Sequence, residues 1–130
     1  MLKQRLLFPL LALCLLMVCN SGCAGSIQTI GDTLISGHDA IKLGAEVASA
    51  QCVAKTLPDT LCADLNVSYK VFQKVWPPVD TAWVVYAKAP ATDTLAATTF
   101  NAALAVYNKN YTEILQLLTL SGVIKAGGVK

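Results

Sequence analysis

Apolar residues recur along this chain at helical spacings. Ile27, Ile30, Leu34, Gly37, Ile41, Gly44 and Ala48 succeed one another at intervals of 3, 4, 3, 4, 3 and 4. That alternation predicts a long helix from about Ile27 to Lys55, with a heptad-like seam turned toward a neighbour. Gly37 and Gly44 fall in the seam itself. Each costs roughly 1 kcal/mol of helix propensity against alanine. Their presence points to close approach of another helix, because a missing side chain lets backbones come together. Asp32, Asp39 and Glu46 recur every seven residues opposite the seam. Groups seven apart lie about 10 Å apart along a helix, too far to share one ion. They read as a solvated outer face.

"TLPDTLC" breaks this helix, with Pro58 stopping it and Asp59 as the expected N-cap of the next. The second segment, Thr60 to Trp76, carries Leu61, Leu65, Tyr69, Phe72 and Trp76 on one face. Trp76-Pro77-Pro78 is the expected corner that ends it. A third, short helix is expected from Val79 to Lys88, with Val79, Trp83 and Ala87 on one side. Pro90 breaks again, and Thr92 or Asp93 is positioned to cap the last helix. That fourth segment, Thr94 to Leu120, shows two apolar faces. One holds Leu95, Thr99, Ala102, Val106, Ile114, Leu117 and Ser121. The other holds Phe100, Leu104, Tyr107, Tyr111, Leu115 and Leu118. Two such faces imply more than one neighbour. Gly122 is the expected C-cap. The pattern as a whole predicts an all-α fold: a small antiparallel bundle of three long helices plus one short one, over residues 27–122, with residues 123–130 as a loose tail.

The region before Ile27 has a different character. Lys3 and Arg5 precede an almost purely apolar run of 14 residues, 6 through 19, and then the small or polar Asn20, Ser21 and Gly22. Spanning a bilayer takes about 20 apolar residues. The order of basic, apolar and small zones is instead that of an export signal peptide, residues 1–22. The stretch "NSGC" resembles the lipobox of bacterial lipoproteins, in which small residues precede a cysteine that is diacylated and becomes the mature N-terminus. Ser21 and Gly22 fit the two positions before Cys23. Asn20 departs from the pattern, which has an aliphatic residue there, and ordinary cleavage after Ala24 is the alternative. The resemblance covers the leader alone and implies lipidation of Cys23, with residues 23–26 as anchor and short tether. An Asp after the cysteine would imply inner-membrane retention, so Ala24 implies the outer membrane.

The five cysteines fit that scheme. Cys14 and Cys19 leave with the leader, Cys23 takes lipid, and Cys52 and Cys62 remain as an even pair. In an oxidising compartment that pair is expected to form a disulfide across the turn between the first two helices. Removing Lys3 and Arg5 leaves eight Lys against eight Asp and Glu, so the whole-chain charge of +2 belongs to the leader. No basic field remains for nucleic acid.

Candidates for chemistry are few. His38 is the only histidine, next to the seam, and reads as a packed or rim residue. No phosphate-binding loop, nucleophile elbow, zinc motif, di-iron motif or haem ligand set is present, so no catalytic residue, metal or cofactor is expected. The aromatic set from Tyr69 to Tyr111 reads mainly as core. Trp76 and Trp83, on either side of the expected corner, are the candidate partner contact. The short helical body, rich in Ala, Thr and Tyr, is similar in composition to uncharacterised proteins of phage lysis regions. The expectation is a small bacterial or phage-encoded envelope lipoprotein facing the periplasm. It would act by binding or structure, in lysis, exclusion of other phages or modulation of an outer-membrane protein, alone or as a homo-oligomer. The alternative is a soluble periplasmic bundle holding a small apolar ligand in the space left by Gly37 and Gly44.

Overall fold

A computed structural model describes residues 24–125 of the chain. The expected signal peptide and Cys23 lie outside the described residues. Three helices make up the fold: α1, Ala24–Val53; α2, Asp59–Lys88; and α3, Thr94–Leu120. Among the described residues there is no strand, and no helix is long and apolar enough to cross a membrane. Contacts divide the chain into two units, Met1–Thr33 and Leu34–Lys130. The described part of the first unit is the opening of α1. There Thr33 donates its hydroxyl to the Thr29 carbonyl, and Gln28 reaches Asp32. Residues 24–26, expected as a tether, are already helical.

The second unit is a helical bundle. Cys52 of α1 meets Cys62 of α2, and His38 meets Trp76, so α1 and α2 run antiparallel. Tyr86 stacks on Phe100 while Phe72 meets Tyr107, so α3 reverses again. The α1 seam is the inner face: Leu34, Ile41, Gly44 and Ala48 are buried and Gly37 half-buried, while Asp39 and Glu46 face solvent. Leu65, Phe72 and Val79 of α2 join Phe100, Leu104, Tyr107, Ile114 and Leu118 of α3 to complete the core.

The Pro-Pro corner is not there. The expected short helix from Val79 to Lys88 is the C-terminal part of α2, which passes through Pro77 and Pro78 without ending. A proline inside a helix costs about 3 kcal/mol, through a lost N–H bond and a clash with the carbonyl four residues back. Two features offset this. The carbonyls set free belong to Gln73 and Lys74, exposed residues on the water side. The apolar stripe also continues at intervals of seven across the prolines, with Phe72 and Val79 both fully buried. Packing on both sides therefore outweighs the local preference.

The ends of the helices also differ from expectation. Pro58, not Asp59, occupies the N-cap position of α2 and makes no side-chain cap. Asp59 sits in the first turn, where its charge favours the helix dipole. Asp93 does cap α3, accepting from the Ala96 amide at 3.0 Å. Gly122 lies one residue past the C-cap Ser121, at φ +75°, the left-handed conformation glycine suits. At the end of α1 that conformation falls to Lys55, at φ +58°. The Thr56 amide returns to the Gln51 carbonyl and the Lys55 amide to Cys52, a Schellman ending built without glycine. Lys55→Gly is expected to stabilise the protein by about 0.5–1 kcal/mol, read as a higher urea midpoint at unchanged slope.

The second apolar face of α3 is the largest departure. Leu95, Thr99, Ala102 and Val106 are exposed. The C-terminal half of the same face is covered, with Ile114 fully buried and Leu117 and Ser121 half-buried, so only the stretch from Leu95 to Val106 stays open.

Candidate functional site

Three features could carry function: the cysteine staple, an aromatic cluster at the centre of the bundle, and a groove between α2 and α3.

The staple arises from local geometry. The 54–58 connection turns the chain tightly, and the last turn of α1 faces the first turn of α2. Cys52 and Cys62 have Cα atoms 5.8 Å apart and are disulfide-bonded. Their bond borders a cleft with Ser49, Lys55, Asn66 and Tyr69 on its walls. Cys23, the expected lipid site, lies outside the described residues.

The cluster forms where Gly37 lets α1 come close to α3. A Cβ at Gly37 would lie 3.3 Å from the Tyr111 ring and 3.4 Å from the Tyr107 hydroxyl. One residue on, the His38 ring lies flat against Trp76, with centroids 4.1 Å apart and planes 19° apart. Phe72, Tyr107 and Tyr111 continue the contacts at 5.5–6.4 Å. Tyr107 points its hydroxyl at the Leu34 carbonyl, 3.5 Å away. Trp76 and Trp83 are both half-buried and lie two turns apart on α2.

Gly44 serves α1 in the same way. A Cβ there would meet Leu118 at 3.0 Å and Ile124 at 3.4 Å. The room over both glycines is thus filled by the protein's own side chains. Ile124, in the segment expected as a loose tail, folds back to do so.

Burial pushes both cluster phenols up. Tyr107 moves well above the ordinary tyrosine range, through burial first and its neighbour Tyr111 second; Tyr111 moves in the same direction through burial. A raised value in the folded state means the unfolded chain gives up these protons first. Their contribution to stability is complete below about pH 10 and is lost as the pH climbs beyond it. Alkaline titration should therefore show late tyrosinate absorbance from this pair, and loss of helicity should accompany it. Tyr107→Phe should remove the latest component.

The groove is walled by Pro77, Pro78, Thr81 and Val85 of α2 and by Leu95 and Thr99 of α3, with a volume of about 540 Å³. No α1 residue lines it. Asp93, its one charged wall residue, is engaged in capping α3. Such a surface suits apolar contact. Among the described residues, no three His, Cys, Asp or Glu side chains group as a metal site, and no polar or charged residue is buried.

Sequence reasoning singled out the cysteines and the α3 stripe, but not the His38–Trp76 stack or the groove. The signal for the stack was the position of His38 beside a seam glycine. The signal for the groove was the helical spacing of Pro78 and Val85 on one helix and of Leu95 and Thr99 on the next. No family model, curated protein or solved structure matches the chain.

Proposed function

We propose that the protein is a small envelope lipoprotein, anchored through Cys23, whose helical body acts by binding and not by catalysis. The observation that carries this reading is the partition of the cysteines. Cys52 and Cys62 close on each other within the body. With Cys14 and Cys19 inside the apolar leader, that leaves Cys23, directly after the leader and its small residues, as the thiol available for acylation. A disulfide also suits an exported chain. The outer membrane is the favoured location because Ala24, and not Asp, comes after the cysteine. A bacterial or phage origin and a role in lysis, exclusion or modulation of an outer-membrane protein belong to the same proposal. The neutral charge of the body speaks against nucleic acid as partner. The rival reading, a soluble bundle with a ligand over Gly37 and Gly44, loses its space to Tyr107, Tyr111, Leu118 and Ile124.

Intact mass of the protein extracted from bacterial membranes tests the proposal. The expected species begins at Cys23, 108 residues after removal of 22 from 130, and carries a diacylglyceryl group. Cys23→Ser should block both processing and membrane retention. A soluble, unacylated chain cleaved after Ala24 would overturn the reading.

A further inference from the structure

The Cys52–Cys62 bond is open to solvent. Both cysteines are half-buried, and both line the cleft between α1 and α2, whose volume is about 670 Å³. That is room for a small molecule. Exposed disulfides are the exchangeable ones, because a thiolate must reach a sulfur to attack it. The two sulfurs are also unequal. Cys52 is the last residue but one of α1, a helix with no basic residue in its last turn. The carbonyl end of a helix disfavours a thiolate. Cys62 closes the first turn of α2, its amide donating to the Pro58 carbonyl. That end has no side-chain cap, so its free amides leave partial positive charge, which favours a thiolate. The nearby charges do not reverse this difference. Asp59, in the same turn, is paired with Lys55 at 3.5 Å. Asp64, two positions beyond Cys62, is turned to another side of α2. Glu46, the acid on the cleft wall, belongs to α1, the helix of Cys52.

We propose that this bond is a thiol–disulfide exchange site that opens in one direction: a small dithiol attacks the Cys52 sulfur, and Cys62 leaves as the thiolate. The electron pair of the attacking thiolate forms a new S–S bond to Cys52. The pair of the old S–S bond goes to Cys62, which then takes a proton from water. The second thiol of the reductant attacks its own sulfur in the mixed disulfide and releases Cys52, which is protonated in turn. The dithiol is oxidised to a cyclic disulfide, and the protein is reduced to two thiols. The 54–58 connection keeps those thiols near each other. The Thr56 amide and hydroxyl both donate to the Gln51 carbonyl at 3.0 Å, and neither bond needs the sulfur bridge. The exchange is therefore reversible in the folded chain, and the reduced form leaves α1 held to α2 by packing and one turn. The inference does not rest on the lipid anchor and stands if Cys23 proves unmodified.

Trapping with glutathione reads which sulfur is attacked. The full chain is incubated with glutathione under native conditions, blocked with N-ethylmaleimide and digested with trypsin. Cleavage after Lys55 puts the two cysteines in separate peptides for mass spectrometry. Glutathione should be found on Cys52 and maleimide on Cys62, exceeding the reverse pattern about fivefold or more. Dithiothreitol should reduce the bond without urea, with helicity retained. Single variants give a second measurement: iodoacetamide should alkylate Cys62 in Cys52→Ser faster than Cys52 in Cys62→Ser, by a similar factor. The wild-type trapping does not depend on those variants folding. A bond that opens only when urea unfolds the chain overturns the proposal. So does glutathione found mainly on Cys62 or shared equally between the two.

Discussion

Phe72→Ala should lower the stability of the protein by about 3–5 kcal/mol, the largest effect expected of any single substitution in this fold. Phe72 is completely buried at the midpoint of α2. Its ring touches α1 through His38 and α3 through Tyr107 and Tyr111, with centroids 5.5–6.4 Å apart. It is therefore a side chain that all three helices share, as is its half-buried neighbour Trp76, and it is the fully buried one of the two. Truncation removes the transfer free energy of a large ring and leaves a cavity that neighbours on three elements cannot easily fill. It also removes the packing that lets α2 run on through Pro77 and Pro78, so the C-terminal half of α2 should lose amide protection disproportionately. Urea unfolding monitored by far-UV circular dichroism measures the loss. Leu43→Ala, at an exposed position on α1, provides the contrast and should change stability by less than about 0.5 kcal/mol. Since domains of this size are stable by only about 5–15 kcal/mol, a loss at the upper end would leave much of the Phe72→Ala protein unfolded near its growth temperature.

Loss of the Cys52–Cys62 bond should have the second largest effect. The cysteines are separated by 10 positions. For a loop of that length the chain-entropy relation gives about 3 kcal/mol of stabilisation, acting mainly on the unfolded chain. Cys52→Ser with Cys62→Ser should therefore lower the melting temperature by roughly 12–24 °C, taking 4–8 °C per kcal/mol for a body of this size. Reducing agent added to the wild type should give the same shift. If reductant shifts the wild type but the serine pair melts with the oxidised protein, the bond is not the source of the stability. The native helices should survive, because the bond joins two segments that the 54–58 turn already brings together.

Phe72 and the cysteine pair also show where the sequence was legible. The α1 seam was readable because its period is a property of one helix, and burial of Leu34, Ile41 and Ala48 results from it. The cysteine pair was readable because a short turn between antiparallel helices constrains its neighbours. The path through Pro77 and Pro78 was not. Local propensity opposes a helix there, and the opposing term is packing of Phe72 and Val79 against partners far away in sequence. The left-handed Lys55 was hidden for a related reason: the turn imposes that conformation on a residue whose type does not signal it. The aromatic cluster was half legible. Periodicity put Phe72, Trp76 and Tyr107 inside, but the stack of His38 on Trp76 depends on how closely Gly37 lets the helices approach. The two apolar faces of α3 were correctly visible as faces. That one of them would be covered at Ile114 and left open from Leu95 to Val106 could not be read from α3 alone.

The staple has a consequence for covalent continuity. Cys52 and Cys62 bracket the whole 54–58 connection, which contains the exposed Lys55. A protease that cuts after Lys55 produces two pieces still joined through sulfur, with their helices still in contact. The second connection, 89–93, has no such bracket, and a cut after Lys88 parts the backbone with only packing to hold α3 in place. In a compartment rich in proteases, one hinge of this fold can be severed without breaking the molecule apart, and the other cannot.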